Sequence, residues 1–316
     1  MKILVTGGAG FIGSHIVDKI ISLGHDCVVV DNLLTGNEHN INPKAIFYKA
    51  DITNTEELEE VFSKERPNIV NHHAAQIVVR KSVKEPVYDA EINILGSLNL
   101  IELSREYRIE KFIYASTGGA VYGEPICLPV DEDHPIFPLS HYGVSKHTVE
   151  HYLHVFNQLY GLRYTVLRYS NVYGPRQNPY GEAGVVAIFT EQMLAGEKPT
   201  IFGDGTKTRD YVFVDDIVDV NIIAMDKNSD NEVFNLGWGK EVSDQKMFET
   251  IRDALKVDIK PLYDKKRPGE VDRISLDNTK IKRWLNWQPK VSLEAGIEKT
   301  TLWYKKTKKE QCQVSG

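Results

Sequence analysis

The chain has 316 residues, enough for one large domain or two interleaved lobes around a sizeable core. Its 38 Lys and Arg against 44 Asp and Glu leave a net charge of -6, which argues against any general attraction to nucleic acid or an anionic membrane. Cys27, Cys127 and Cys312 stand far apart, with no Cys-x-x-Cys and no zinc spacing, so no metal is expected and a reducing compartment fits best. Met1-Lys2 runs straight into a short apolar stretch and glycines, too short for a signal-peptide core, and no later apolar run approaches the roughly 20 residues of a membrane helix. The chain therefore reads as soluble and cytoplasmic.

In chain order, Lys2 to Thr6, Cys27 to Asp31, Ile46 to Lys49, Asn68 to Asn71, Phe112 to Ala115 and Tyr164 to Arg168 are β-branched or apolar runs that predict strands. Helical patterns separate most of them. That alternation predicts an α/β fold: a doubly wound, Rossmann-like parallel sheet with helices on both faces. From Val149 through Tyr160 apolar residues recur every three or four positions, and Gly161 marks a stop, so Tyr142 and Lys146 fall in the first turns of a long amphipathic helix. After Arg168 the rhythm breaks. Asn178 to Gly184 reads as a loop, Ile217 to Met225 as a helix, Glu232 to Asn235 as a strand returning to the first lobe, and Lys305 to Gly316 as polar and frayed. The expected division is a nucleotide-binding domain over 1–168 plus 212–240, a smaller α/β C-terminal substrate lobe over 169–211 and 241–310, and a tail over 311–316.

The run Thr6-Gly-Gly-Ala-Gly-Phe-Ile-Gly13 follows the first predicted strand and opens the first helix. Gly7, Gly10 and Gly13, with Phe11 and Ile12 between the last two, leave the backbone N–H groups of a helix N-terminus open to a pyrophosphate. Asp31 ends the second strand, followed by Asn32, and is placed to accept hydrogen bonds from an adenosine ribose; its charge would repel a 2′-phosphate, which favours NAD over NADP. Asp51 and Ile52, after the third strand, could contact adenine, although an Asp after a strand also serves as a helix cap.

Phe112-Ile-Tyr-Ala-Ser-Thr117 delivers two hydroxyls to the C-terminal end of a strand, where ligands of parallel sheets lie. About 25 residues on, Tyr142 and Lys146 sit one helical turn apart, so an ammonium can lower the pKa of a phenol acting as general base. The Tyr-x-x-x-Lys spacing also occurs at Tyr107/Lys111 and Tyr304/Lys308, but neither follows a hydroxyl-bearing strand. His72 and His73 resemble neither a metal pair nor a triad, since neighbouring strand residues face opposite ways. One is expected near the cofactor and the other buried.

Gly7 to Gly13, Asp31, Asn93, Ser116/Thr117 and Tyr142-x-x-x-Lys146 together resemble the extended short-chain dehydrogenase/reductase superfamily over nearly the whole chain. Leu167 to Arg176, Gly203 to Tyr211 and Arg267-Pro-Gly-Glu270 make it look most like the UDP-glucose (UDP-galactose) 4-epimerases. The resemblance implies NAD as cofactor, a UDP-sugar as substrate and a homodimer. It further implies that Lys146 binds the nicotinamide ribose, that Asn93 lies near the nicotinamide and that Tyr169 lines the cofactor. Asn171, Arg209, Arg267 and Glu270 would hold the nucleotide-sugar. This chain departs from many relatives in that Thr117 stands five residues before Tyr122 rather than four, leaving Ser116 or Thr117 as the catalytic hydroxyl, with Thr117 preferred. Gly118-Gly119 supply no acid or base, which argues against a sugar-nucleotide 4,6-dehydratase. Epimerases of uronic acids or N-acetylhexosamines would share every cofactor motif and differ in the hexose pocket, around Ile274 or Ser275. A non-catalytic NAD sensor would have no use for the Tyr142, Lys146 and hydroxyl set.

Overall fold

The computed structural model describes residues 1–180, 184–266 and 271–314, the side chains of Lys227 and of 311–314 excepted. The elements of the first half are β1 (Lys2–Thr6), α1 (Phe11–Ser22), β2 (Asp26–Val30), β3 (Ile46–Tyr48), α2 (Thr55–Glu65), β4 (Ile69–His72), α3 (Val79–Lys84) and α4 (Pro86–Ala90). A π-helical turn, Glu91–Gly96, leads into α5 (Ser97–Glu106), then β5 (Lys111–Thr117), α6 (His141–Tyr160) and β6 (Tyr164–Tyr169). The second half carries β7 (Asn171–Tyr173), α7 (Val185–Leu194), β8 (Thr200–Phe202), β9 (Thr208–Arg209), β10 (Tyr211–Phe213), α8 (Val214–Ile223), β11 (Glu232–Leu236), β12 (Val242–Ser243), α9 (Asp244–Leu255), β13 (Leu262–Asp264), α10 (Thr279–Leu285) and α11 (Leu293–Val314).

Seven strands form one parallel sheet in the order β11-β6-β5-β4-β1-β2-β3. The expected Rossmann-like architecture is therefore present, and the order reverses between β1 and β4, where parallel sheets open a ligand crevice. Apolar residues fill both faces. Ile3, Val5, Val29, Ile113 and Leu167 pack on one side, and Leu4, Val28, Val70, Phe112 and Val166 on the other. This is the burial expected of strands covered on both faces by helices. Strand ends differ from the sequence reading by one or two residues: β2 starts at Asp26, and β5 runs from Lys111 through Thr117.

Beyond β6, three two-stranded sheets (β10 with β7, β12 with β9, β13 with β8) and helices α7, α9 and α11 build up the remainder. β11 returns to pair with β6 along Glu232 to Leu236. The helix expected over Ile217 to Met225 begins earlier, at Val214, with Asp215 and Asp216 in its first turn, where acidic side chains favour a helix N-terminus. The end of the chain also differs from expectation. The segment expected to be frayed from Lys305 is helical through Val314, because its Lys, Glu and Gln are good helix formers and Lys308 reaches Glu191 on α7 at 3.3 Å. Among the described residues no helix is long and apolar enough to cross a membrane.

Candidate active site

The glycine loop closes tightly at the end of β1. Gly7 has φ +69 and donates its N–H to Val30 O at 2.8 Å, while Gly10 N–H donates to Gly7 O at 3.0 Å. A Cβ on Gly13 would lie 2.2 Å from Gly7 O, and one on Gly7 would lie 2.7 Å from Ala74 N, so neither position admits a side chain. The α1 N-cap is Gly10, which supplies no side-chain cap, so the first-turn N–H groups at Phe11, Ile12 and Gly13 are left without a capping side chain. That is an anion cradle of the kind a pyrophosphate fills.

Asp31 stands beside the cradle. Its Oδ2 accepts from Ala9 N–H at 3.0 Å and its Oδ1 from Leu33 N–H at 2.9 Å, which leaves each oxygen a lone pair for a ribose hydroxyl. Burial raises the pKa of this carboxyl, against the lowering effect of the two N–H bonds. Next to it, Asn32, Leu34, Asp51, Tyr88, Ile92 and Leu95 line a cavity of about 340 Å³, large enough for an adenine. Asp51 is held by Asn32 Nδ2 at 2.8 Å and by Thr53; burial works against ionisation, but these bonds leave its pKa below the usual value. It is not the cap of α2, a role Asn54 fills. Ile52 packs its side chain under Gly96 and gives its carbonyl to Asn99. The residues of the chain thus fit NAD at its pyrophosphate, ribose and adenine ends.

The C-terminal ends of β5 and β6 carry Ser116, Thr117 and Tyr169 side by side. Register pairs Thr117 with Tyr169 and Ser116 with Arg168. Ser116 is buried, and its hydroxyl donates to Glu150 Oε1 at 2.5 Å; Arg168 clamps the same carboxylate through Nη2 at 2.6 Å and Nε at 3.1 Å. The Thr117 hydroxyl has no hydrogen-bond partner among the described residues and is half-buried. A side chain on Gly119 would sit 3.7 Å from Asn171 Oδ1 and 3.9 Å from Thr117 Oγ1, so Thr117 and Asn171 flank one small space. Gly118 packs against Leu276, whose side chain would have to shift to admit a Cβ that would lie 2.4 Å from its Cδ1.

Helix α6 meets this edge through Gly143, whose Cβ would fall 2.5 Å from Ala120 O. Ser140 caps it by accepting from Gly143 N–H at 3.2 Å, and Tyr142 N–H donates to Ser82 Oγ at 3.1 Å. Tyr142 is half-buried; one turn on, Lys146 is 4 % exposed, with its Nζ 4.3 Å over the Tyr114 ring. Burial pulls the Lys146 ammonium down to about 7, while the charges of Glu150 and Asp89 work to keep it protonated. Asp89 is itself fixed by Ser145 Oγ at 2.7 Å, Gln76 Nε2 at 2.8 Å and Asn93 Nδ2 at 3.0 Å.

Several candidates take places the sequence did not specify. Asn93 is buried, with both amide hydrogens given to Gln76 O and Asp89 and its oxygen taken by Gln76 N–H, so it braces the loop after β4. Tyr169 is buried, its ring stacked on His73 and its hydroxyl bonded to His73 Nε2 at 2.9 Å and to Asn221 Nδ2 at 2.8 Å. Burial, with the Lys146 charge added, drives His73 down to about 3, and His72 is bridged between Thr6 and Ser97. Arg209 lies half-buried on β9 with its Nη1 on Thr208 O at 2.7 Å. Arg267 and Glu270 lie outside the described residues. The other two Tyr/Lys pairs do structural work: Lys111 is buried against Asp230 and Ser229, and Tyr304 bonds Gln177 O.

Asp210, Glu150 and Asp89 were not singled out from the sequence. Asp210 is fully buried and gathers three loops: its carboxylate accepts from Trp238, Gly239 and Leu276 N–H at 2.9, 2.9 and 3.1 Å, and its carbonyl accepts from Asn171 N–H. Burial raises it to about 7 against those bonds. Glu150 alone carried a usable signal, four residues beyond Lys146 on one helix face.

Residues 3–237 match the model of the NAD dependent epimerase/dehydratase family. The chain belongs to this family. A UDP-glucose 4-epimerase of Mycolicibacterium smegmatis is 42% identical over 96% of this chain and 99% of its own length. Among solved structures, a UDP-glucose 4-epimerase of Thermotoga maritima with UDP-glucose is 52% identical, covers 97% of this chain and 99% of its own, and superposes with a TM-score of 0.96. A UDP-glucose 4-epimerase of Thermus thermophilus in complex with NAD is 42% identical, covers 96% and 99%, and gives 0.92. As in the rest of the family, NAD is the cofactor.

Proposed function

We propose that this chain is a UDP-glucose 4-epimerase, interconverting UDP-glucose and UDP-galactose by transient oxidation at C4 of the sugar. One observation carries the reading beyond the family: the uncommitted Thr117 hydroxyl is followed by Gly118 and Gly119, so neither residue after it offers a side-chain acid or base to expel water from an oxidised sugar. Likeness over the full length of the named epimerases supports it.

In this reading Tyr142, as phenolate, takes the proton from the sugar 4-hydroxyl. Thr117 shares the hydrogen bonds to that oxygen, and Lys146 favours the phenolate and binds the nicotinamide ribose. Bound NAD supplies a hydride acceptor that returns what it takes. Gly7, Gly10, Phe11, Ile12 and Gly13 hold the pyrophosphate, Asp31 the ribose, and Asn32, Asp51 and Ile52 border the adenine. Asn171 and Arg209, with Arg267 and Glu270, grip the nucleotide-sugar while the hexose turns over between oxidation and reduction. Asn93 acts through the Gln76 loop, and Tyr169 walls the nicotinamide side through His73.

The lobes would divide at 168, with 212–240 rejoining the nucleotide-binding domain. A homodimer would form over the exposed apolar stripe Val144, Tyr152, Val155 and Leu159 of α6. The thiols of Cys27 and Cys127 are free, which suits the cytoplasm. Incubating purified protein with UDP-galactose and no added NAD, and reading the anomeric protons by NMR, tests the function. UDP-glucose should appear, and Tyr142→Phe should hold its NAD yet leave the substrate unchanged. An unreacted substrate with the unaltered protein would refute the proposal.

A further inference from the structure

Asp89 lies on α4 and is fully buried. Its carboxylate joins two parts of the fold. Oδ1 accepts from Gln76 Nε2 at 2.8 Å and from Asn93 Nδ2 at 3.0 Å, while Oδ2 accepts from the Ser145 hydroxyl at 2.7 Å. Gln76 stands in the loop after β4 and Asn93 in the π-helical turn, and the two are cross-linked: Gln76 N–H donates to Asn93 Oδ1 and Asn93 Nδ2 to Gln76 O, each at 2.9 Å. Ser145 stands on α6, between Tyr142 and Lys146.

Two bonds therefore hold the first turns of α6 against α3 and α4: Ser145 Oγ to Asp89, and Tyr142 N–H to Ser82 Oγ at 3.1 Å. They differ in kind. Ser82 offers a neutral hydroxyl to the backbone of Tyr142, whereas Asp89 brings a charge beside the residue that precedes Lys146. Three neutral donors satisfy the buried carboxylate without cancelling that charge, which in a dry interior acts over several ångströms on a neighbouring ammonium. Lys146 is faced by Tyr142 and Glu150 on its own helix, by Asp89 on α4, by Tyr114 on β5, and by His72 and His73 at the end of β4. Burial pushes Tyr114 up and both imidazoles down, so these three stay neutral. Glu150 is already paired with Arg168 at 2.6 Å. Asp89 has no ion pair of that kind among the described residues, and its charge, like that of Glu150, opposes the loss of the Lys146 proton.

We propose that Asp89 is a positioning residue of the crevice: through Ser145 it seats the turn of α6 that carries Tyr142 and Lys146, and it is the counter-charge of the Lys146 ammonium. The inference rests on the roles given to Tyr142 and Lys146 above. Asp89 and Ser145 are both buried within the chain, so a homodimer formed over the outer stripe of α6 leaves the device as it is.

The test follows the Lys146 ammonium itself, by NMR titration of full-length, NAD-loaded protein labelled with carbon-13 at the lysine Cε, with Lys146→Met to assign the signal. No sugar is present, so this arm is decided whether or not UDP-galactose proves to be the substrate. Asp89→Asn keeps an oxygen for Gln76 and Asn93, turns its amide to the Ser145 hydroxyl and removes the charge. Its Lys146 midpoint should fall by about one pH unit, the low end for loss of an opposite charge. A variant that merely loosened the packing would admit water and raise the midpoint toward the usual 10.5, so the sign separates the two roles. Ser145→Ala keeps the charge and removes the tether. Its Lys146 midpoint should not fall, while kcat on UDP-galactose should drop by about tenfold or more, with NAD still bound and KM little changed. An unchanged or raised midpoint in Asp89→Asn would overturn the counter-charge, and an unchanged kcat in Ser145→Ala would overturn the seating, even where Asp89→Asn fails to fold.

Discussion

The Ser116 hydroxyl donates to Glu150 Oε1 at 2.5 Å, while its neighbour Thr117, next along β5, keeps its hydroxyl free of any partner among the described residues. Adjacent strand residues face opposite sides of the sheet, so one hydroxyl is spent on the α6 carboxylate behind the sheet and the other is left for the crevice. The two substitutions should therefore separate cleanly. Thr117→Val should lower kcat by about 10²–10³-fold, the cost of removing one donor aimed at developing charge, with little change in thermal midpoint. Ser116→Ala should leave kcat within about tenfold and instead lower stability by about 1.5–3 kcal/mol, the range for a hydrogen bond to a charged group. Steady-state kinetics and thermal unfolding on both variants decide the matter, and the reverse pattern would make Ser116 the catalytic hydroxyl.

Gly13 tests the cofactor cradle. A methyl at this position would lie 2.2 Å from Gly7 O, a backbone atom that can yield only by opening the loop. Gly13→Ala should purify with much less than one NAD per chain, read from the absorbance of the perchloric-acid extract, while its far-ultraviolet dichroism stays native. Full NAD content would show that the pyrophosphate lies elsewhere.

The fold was legible because both faces of the sheet are apolar and each strand is short and punctuated, so β1 to β6 could be read from composition alone. The glycine loop and Asp31 were legible for a related reason: they are local, and their chemistry depends on a few consecutive residues. What escaped was everything that depends on long-range pairing. Asp89 and Asp210 look like surface acids in the sequence, yet their bonds reach 56 residues to Ser145 and 66 to Leu276; for Glu150 the spacing from Lys146 was visible, but its bond to Ser116, 34 residues away, was not. Asn93 shows the same limit: nothing in the sequence showed that its amide is spent on Gln76 and Asp89. The extra glycine at Gly118 was visible as a spacing anomaly, but the Leu276 side chain packed against it comes from the far end of the chain.

Lys146 is held at a cost to the fold. Its usual value is 10.5, and burial lowers it to about 7. Between those values the unfolded chain binds more protons than the folded one, so native stability gains with rising pH across that window; below about 7 the folded protein carries the full burden of a buried ammonium. Lys146→Met should abolish turnover and, in NAD-free protein, raise stability by about 1–4 kcal/mol below pH 7. That advantage should shrink between about pH 7 and 10.5, as followed by urea unfolding at a series of pH values. An advantage independent of pH would show that Lys146 is not buried as an ammonium.

Asp210 should behave as a structural knot. Asparagine offers one oxygen where the carboxylate uses two to receive Trp238, Gly239 and Leu276 N–H. Asp210→Asn should cost about 1–3 kcal/mol at pH 8 through the donors left unpaired. Because the folded pKa of about 7 lies above the usual 3.8, the carboxylate form loses stability as pH rises from about 4 to 7 and the amide does not, so the variant's deficit should be larger at pH 4 than at pH 8. Chemical denaturation at the two pH values reads the difference.

C4 of the sugar should lose its hydride to bound NAD and recover the same hydride. UDP-galactose deuterated at C4, incubated with the purified protein without added cofactor, should yield UDP-glucose that keeps its deuterium at C4, as read by NMR and mass spectrometry. Product carrying protium at C4, or the appearance of a 4-keto-6-deoxy sugar in place of UDP-glucose, would contradict it.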